Sequence, residues 1–286
     1  MGQSDDLQQK VRELFGTSVE IREKRGVGGG CINQTSILIL SDSRKVFLKE
    51  NSLSYSNLFG SEAAGLTAIA SKVGPAVPRP LAFGEVDDHQ YLLLEHIEPG
   101  PKRPDFWEDF GRRVALLHRA KTSRRFGFEI DNYIGASPQR NGWDESWPHF
   151  FGRRRLEVQL KLALDAGHSS ERWIGGLQRI IERIETLLPE PGQASLLHGD
   201  LWGGNFMVGP DGSAVLIDPA VYYGDREADL AMTELFGGFS ARFYTAYREE
   251  YPIDYGYEER KELYNLYHLL NHFNLFGASY SGSVAA

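Results

Sequence analysis

The chain has 286 residues, 41% of them hydrophobic and 24% charged, which suits one large domain or two lobes sharing a cleft and speaks against wholesale disorder. A net charge of -8 and a pI near 5.5 exclude broad electrostatic capture of nucleic acid or anionic membrane, and the short basic clusters RRFGF and GRRRL do not reverse that balance. The single cysteine, Cys31, excludes an intramolecular disulfide and a cysteine-built zinc site and fits a reducing, cytoplasmic setting.

The N-terminal MGQSDDLQQKVRELFG has neither the basic start nor the apolar run of a secretory signal, and Asp6 stands where a myristoylation signal needs Ser or Thr. Leu7 to Phe15 reads as a short helix. The segments VEIREKRG, QTSILILSD and KVFLKEN carry β-branched and apolar residues between glycine or Ser-Asp turns, the pattern of an antiparallel meander. SEAAGLTAIASKV is expected to be helical and to stop at Gly74-Pro75. PRPLAFGEVDDHQYLLLEHIE reads as a hairpin turning at Asp87-Asp88.

Beyond IEPGPKRP the period becomes helical: FWEDFGRRVALLHR sets Phe106, Phe110, Val114 and Leu117 along one face. The stretches FFGRRRLEVQLKLALDAG, RWIGGLQRIIERIETLLP and ERKELYNLYHLLNHFNLF read the same way. Only two strand-like pieces, around Phe206 to Val208 and Ala214 to Ile217, are expected to interrupt this helical region. The chain therefore divides into an N-terminal lobe, residues 1–98, and a C-terminal lobe, residues 99–286.

HGDLWGGN spaces Asp200 and Asn205 as in the catalytic-loop pattern H-R-D-x-x-x-x-N of kinases, and the apolar VLIDPA then delivers Asp218. Phosphoryl transfer from ATP asks for a carboxylate that orients an acceptor hydroxyl and takes its proton, plus oxygen ligands for magnesium. Asp200 suits the first task, Asn205 and Asp218 the second, and His198 suits a bracing role. Gly, Asp and Asn also fill loops for conformational reasons alone, but here they come in the full order that a kinase site requires.

The sequence resembles the fructosamine kinase, or ketoamine kinase, family, relatives of aminoglycoside phosphotransferases and choline kinases. The resemblance rests on GGGCIN, VFLKEN, SEAAGLTAI, HGDLWGGN and DPAVYYGDREADLAMTELFGGF, and continues through YHLLNHFNLFG over nearly the whole chain. It implies an α+β, bilobal protein-kinase-like fold: an antiparallel sheet with one helix, then a mostly helical lobe. It further implies that Lys49 contacts the ATP phosphates and that Glu62 pairs with Lys49. Gly28, Gly29 and Gly30 would form the nucleotide loop between the first two strands, with Glu95 and Ile97 also contacting nucleotide. Glycine permits close backbone approach to phosphate there, although Cys31 takes the last glycine's place in G-x-G-x-x-G.

The resemblance implies that ATP and Mg2+ serve to phosphorylate a ketosamine, free or on a glycated protein lysine, at its sugar O3 hydroxyl, with release of the amine afterwards. The alternatives are a kinase for another hydroxylated amine, of aminoglycoside or choline type, and a nucleotide-binding pseudokinase regulator. Trp202, inside the catalytic loop, is placed to stack on the acceptor. Asp225 and Glu227 are weaker candidates for the acceptor's ammonium, since Asp225 also reads as a helix N-cap and Glu227 and Asp229 as structural partners. The aromatic NGWDESWPHFFGRRRLEVQL forms either an acceptor wall or packed helix. Cys31 is a candidate for redox control, with the chain a monomer or a dimer linked through that thiol. His268 and His272, one turn apart, lack an acidic third ligand for a metal.

Overall fold

In the computed structural model the described residues are 3–28, 32–70, 72–86, 88–169 and 171–285. The N-terminal region runs α1 (Gln3–Phe15), β1 (Ile21–Gly26), β2 (Gln34–Leu40), β3 (Lys45–Ser52), α2 (Leu58–Ile69), β4 (Pro80–Val86) and β5 (His89–Glu95). The strands form one antiparallel sheet in the order β1-β2-β3-β5-β4. Alternation along the strands sorts its two faces. Leu38, Leu40, Val46, Leu48 and Leu93 pack with Leu7 and Val11 of α1. Phe47, Leu92 and Leu94 instead meet Leu58, Phe59, Ala63 and Leu66 of α2. Lys49 lies opposite Leu92 in the β3–β5 register, so the same alternation turns it toward α2.

Helix α2 begins three residues before the expected Ser61 and ends at Ile69, well short of Gly74-Pro75. Its start follows Asn57, whose left-handed backbone (φ 54) reverses the chain. The β4–β5 register closes with Val86 opposite His89, although Asp87, half of the expected turn, lies outside the described residues.

The rest comprises α3 (Phe106–Ala120), β6 (Thr122–Ser123), β7 (Asn132–Ile134), β8 (Ser137–Gln139), α4 (Trp147–Phe151), a π-helical turn (Gly152–Leu156), α5 (Glu157–Asp165), α6 (Ile174–Glu182) and α7 (Ile184–Leu187). There follow β9 (Ala194–Leu197), β10 (Phe206–Val208), β11 (Ala214–Leu216), β12 (Tyr222–Gly224), α8 (Glu227–Leu235), α9 (Ala241–Glu250), α10 (Tyr257–Phe276), a 3-10 turn (Ala278–Tyr280) and α11 (Ser281–Ala285). The four expected apolar positions of α3 are all buried. Strands β6, β7, β8, β9 and β12 correct the expectation of only two interruptions. Each has two to four residues, too short for a period of two to register in sequence.

The sheet β12-β9-β6 carries the chain to the catalytic loop. Trp147, Phe150 and Phe151 are buried with Tyr222 and Tyr264 in one core, so the aromatics of α4 are packing residues. Arg155 is fully buried beneath them, donating to Arg140 O and Asn141 Oδ1, both at 2.7 Å, with its guanidinium 4.0 Å over the Tyr222 ring. At the connector, Gly100 N–H donates to Val208 O at 3.1 Å, and a Cβ there would stand 2.4 Å from Gly209 O. Only glycine permits that approach.

Candidate active site

Lys49 is the centre of the N-terminal contribution. Its Nζ donates to Glu62 Oε1 at 2.6 Å and also to Asp218 Oδ1, so one ammonium ties β3 to α2 and to the C-terminal segment after β11. Burial pulls the Lys49 pKa down, but the carboxylates of Glu62 and Asp218 outweigh burial and hold it above the ordinary lysine value. Burial raises Glu62, and the nearby Asp218 charge adds to this against the pull of Lys49. Two carboxylates thus share one cation.

Asp218 has φ 53, a left-handed conformation that costs a non-glycine residue of order 1–3 kcal/mol. The turn swings its carboxylate out of the apolar line of β11, leaving the side chain 49% exposed. A buried framework supports the neighbouring loop. His198 Nε2–H donates to Ile217 O at 2.9 Å while Nδ1 accepts from Asp200 N–H at 3.3 Å, and burial lowers the imidazole pKa, favouring the neutral form these bonds require. Gly199 has φ +80, and a Cβ on it would lie 2.0 Å from Ala220 O.

Asn205 Nδ2 donates to Asp200 O and Oδ2, both at 2.8 Å, closing the loop on itself. Asp200 Oδ1 and Asn205 Oδ1 keep no hydrogen bond among the described residues. Burial pushes the Asp200 pKa up to about 7, opposed by the Asn205 bond and assisted by the charges of Asp218 and Asp229. The free oxygens of Asn205 and Asp218 are hard donors of the kind magnesium takes, so these residues fit that ion.

Asp229 holds the loop from behind. Its carboxylate accepts from His198 N–H at 2.7 Å and Gly199 N–H at 2.9 Å, and from His118 Nε2 at 3.2 Å, while His118 Nδ1 accepts from Tyr247 at 2.9 Å. Despite burial, these donors hold the Asp229 pKa below the ordinary value. The sequence offered Asp229 as a structural partner but nothing to identify His118, which α3 brings in from 111 residues away.

The remaining candidates fall apart into groups. Trp202 is 38% exposed on the loop, edge-on to Phe236 with ring centroids 6.1 Å apart. Its indole lies over Gly204, where a Cβ would come within 2.4 Å. Asp225 and Glu227 are buried and internally paired. Asp225 accepts from Glu227 N–H at 3.0 Å and from Tyr264 Oη at 2.7 Å, while the N-cap of α8 is Arg226 and not Asp225 as expected. Glu227 takes both arms of Arg260 at 2.7 and 2.8 Å. All four carboxylate oxygens of this pair are thus engaged by protein donors.

Glu95 ends β5 with its side chain exposed, and Ile97 follows in the connector, half-buried. Gly28 is exposed just past Val27, whose N–H and O pair with Thr35 at 2.9 and 2.8 Å. Gly29, Gly30 and Cys31 lie outside the described residues. His272 Nδ1 is spent on His268 O at 2.8 Å, so that pair does not chelate, and no cluster of three metal-ligating side chains occurs among the described residues. No described helix is long and apolar enough to cross a membrane.

A five-stranded sheet with one lysine-pairing helix, a short connector and a D-x-x-x-x-N loop ahead of a second aspartate define a phosphotransferase of the protein-kinase-like fold. A solved aminoglycoside phosphotransferase shares that fold, with a TM-score of 0.63 at 16% identity over 98% of this chain and 96% of its own. The fructosamine kinase family model matches residues 3–286, and the chain belongs to that family. It is 44% identical to a Synechocystis protein designated a ketoamine kinase, covering 96% of this chain and 92% of that one. It is 41% identical to the chloroplastic protein-ribulosamine 3-kinase of Arabidopsis thaliana, covering 94% and 82%. A Haemophilus somnus structure assigned as a fructosamine-3-kinase superposes with a TM-score of 0.89 at 31% identity, covering 98% and 94%.

Proposed function

We propose that this kinase uses ATP and Mg2+ to phosphorylate the O3 hydroxyl of ketosamines, the sugar adducts of amines and protein lysines, and thereby starts their removal. The observation that carries the reading is the meeting of Lys49, Glu62 and Asp218 across two lobes beside the Asp200–Asn205 pair. Membership of the fructosamine kinase family and the exposed Trp202 beside the base support the ketosamine.

In this reading Asp200 orients the sugar hydroxyl through its free Oδ1 and takes its proton as the oxygen is phosphorylated. Asn205 and Asp218 hold magnesium, which supplies charge neutralisation at the phosphates when bound. Lys49, fixed by Glu62, secures the nucleotide, with Gly28, Gly29, Gly30, Glu95 and Ile97 along its path. Catalysis comes mainly from positioning and charge stabilisation. The indole of Trp202 stacks on the sugar or faces the secondary ammonium. Phosphate on C3, next to the C2 carbonyl, leaves after enolisation toward C1, and hydrolysis of the resulting iminium frees the amine.

The test is ATP consumption with fructosyllysine, ribulosyllysine, choline and an aminoglycoside, with phosphorus–carbon coupling to locate the new ester. Ketosamine turnover with phosphate on C3 is expected, and chelation of magnesium abolishes it. Turnover of choline or the aminoglycoside alone would replace the acceptor assignment. ATP binding without turnover of any acceptor would make the chain a nucleotide-binding regulator.

A further inference from the structure

On the side of α2 turned away from Lys49 lies a cleft of about 1070 Å3, room enough for a drug-sized molecule. Gly60, Ala64, Thr67 and Ala68 line it, recurring at helical spacing, so one stripe of small side chains leaves the space open. Glu62 stands on the other side of the helix. The opposing wall comes from the C-terminal lobe. Trp143 stacks on Tyr223 with ring centroids 6.0 Å apart and planes at 29°, and Phe128 lies 6.5 Å from Tyr223. From β4, Phe83 reaches the cleft 53% exposed.

Two opposite charges line this aromatic slot without neutralising each other. Arg125 sits 5.1 Å over the Trp143 ring, and its only hydrogen bond among the described residues is from its backbone N–H to Ser123 Oγ. Glu129 is exposed and close enough to raise the Tyr223 phenol, after burial itself, yet it makes no ion pair among the described residues. The Tyr223 hydroxyl and the Trp143 indole N–H are likewise without hydrogen-bond partners among the described residues. A flat apolar body with a carboxylate for Arg125 and an ammonium for Glu129 complements all of these groups.

We propose that this cleft is a second ligand site, for an aromatic zwitterion of amino-acid to dipeptide size, whose occupancy braces α2 and strengthens nucleotide binding at Lys49. The helix is placed to transmit such an effect. Its Glu62 holds Lys49, and its Gly65 packs on the segment after Asp218, where a Cβ would lie 3.2 Å from Val221 Cγ2 and 3.5 Å from Pro219 Cγ. A ligand spanning α2 and the C-terminal wall favours the arrangement in which Lys49, Glu62 and Asp218 meet, and such coupling is reciprocal. The binding claim rests on the cleft alone; the bracing claim rests on Lys49 as the nucleotide lysine.

Titration calorimetry on the full chain, with and without a non-hydrolysable ATP analogue, tests both claims, using L-tryptophan and the dipeptide Phe-Trp as probes. Saturable binding is expected, weakened about tenfold or more by Arg125→Ala and by Glu129→Ala, two exposed sites whose loss leaves the fold intact. Tryptamine and indole-3-propionate, each lacking one charge, are expected to bind weaker by a similar factor. Absence of saturation by both probes at about 10 mM, or affinity unchanged in both variants, overturns the site. Binding that survives but is indifferent to the nucleotide analogue overturns the bracing. Because heat of binding is the readout, failure of the ketosamine assay is a separate outcome.

Discussion

Asp200 and Asp225 are both aspartates withdrawn from water in the C-terminal lobe, and burial raises the pKa of each. Their partners differ. Asp225 has both oxygens occupied, by the Glu227 N–H and the Tyr264 hydroxyl. Asp200 has one oxygen held by Asn205 and the other without a hydrogen bond among the described residues. A raised carboxylate pKa therefore does not by itself mark chemistry; an oxygen left without a partner is what separates Asp200 from Asp225.

Replacing the two kinds of carboxylate should separate these roles. Asp200→Asn keeps shape and the loop's backbone bonds, so kcat should fall about 10³-fold with the melting temperature nearly unchanged. Activity retained in that variant would remove Asp200 as the base. Glu227→Gln leaves Arg260 facing a neutral amide in a mostly buried pair and should cost about 3 kcal/mol in urea unfolding, while kcat per folded molecule stays within about twofold. A selective rise in ketosamine KM there would return Glu227 to the acceptor site.

Lys49→Met should lower kcat/KM for ATP about 100-fold, with the acceptor KM little changed. The smallest effect concerns pH. The folded pKa of Asp225 is raised to about 6, by burial first and the Glu227 charge second, above the ordinary value near 3.9. Its contribution to stability is therefore fully present below about pH 4 and lost as pH rises through about 6. Relative to the parent, Asp225→Asn should gain about 2 kcal/mol in thermal stability on going from pH 4 to pH 7. A constant offset across that range would show that Asp225 is already ionised at the lower end.

Legibility in the sequence varied with the length over which a pattern repeats. The meander and α3 were readable because alternation or a three-to-four spacing runs through six or more residues of each. The start of α2 was missed although Asn57 is an N-cap residue type; its backbone is left-handed and its side chain makes no capping bond, so the entry is not of the ordinary capped kind. Strands β6, β9 and β12 exist through pairing with one another across distant segments, and no local window holds that information.

By itself, the sequence singled out Asp200, Asn205 and Asp218 as the candidate set for phosphoryl transfer, because HGDLWGGN and VLIDPA are contiguous and the pattern depends on residue type and order. The same holds for Lys49, whose side on β3 follows from strand alternation. Only the tertiary structure decided which acidic residues of GDREADL are committed to Tyr264, Arg260 and His118, because those partners come from other helices and burial arises only on packing. The cleft behind α2, with Arg125 and Glu129 making no ion pair among the described residues, is likewise a product of assembly: its walls come from five separate stretches of chain.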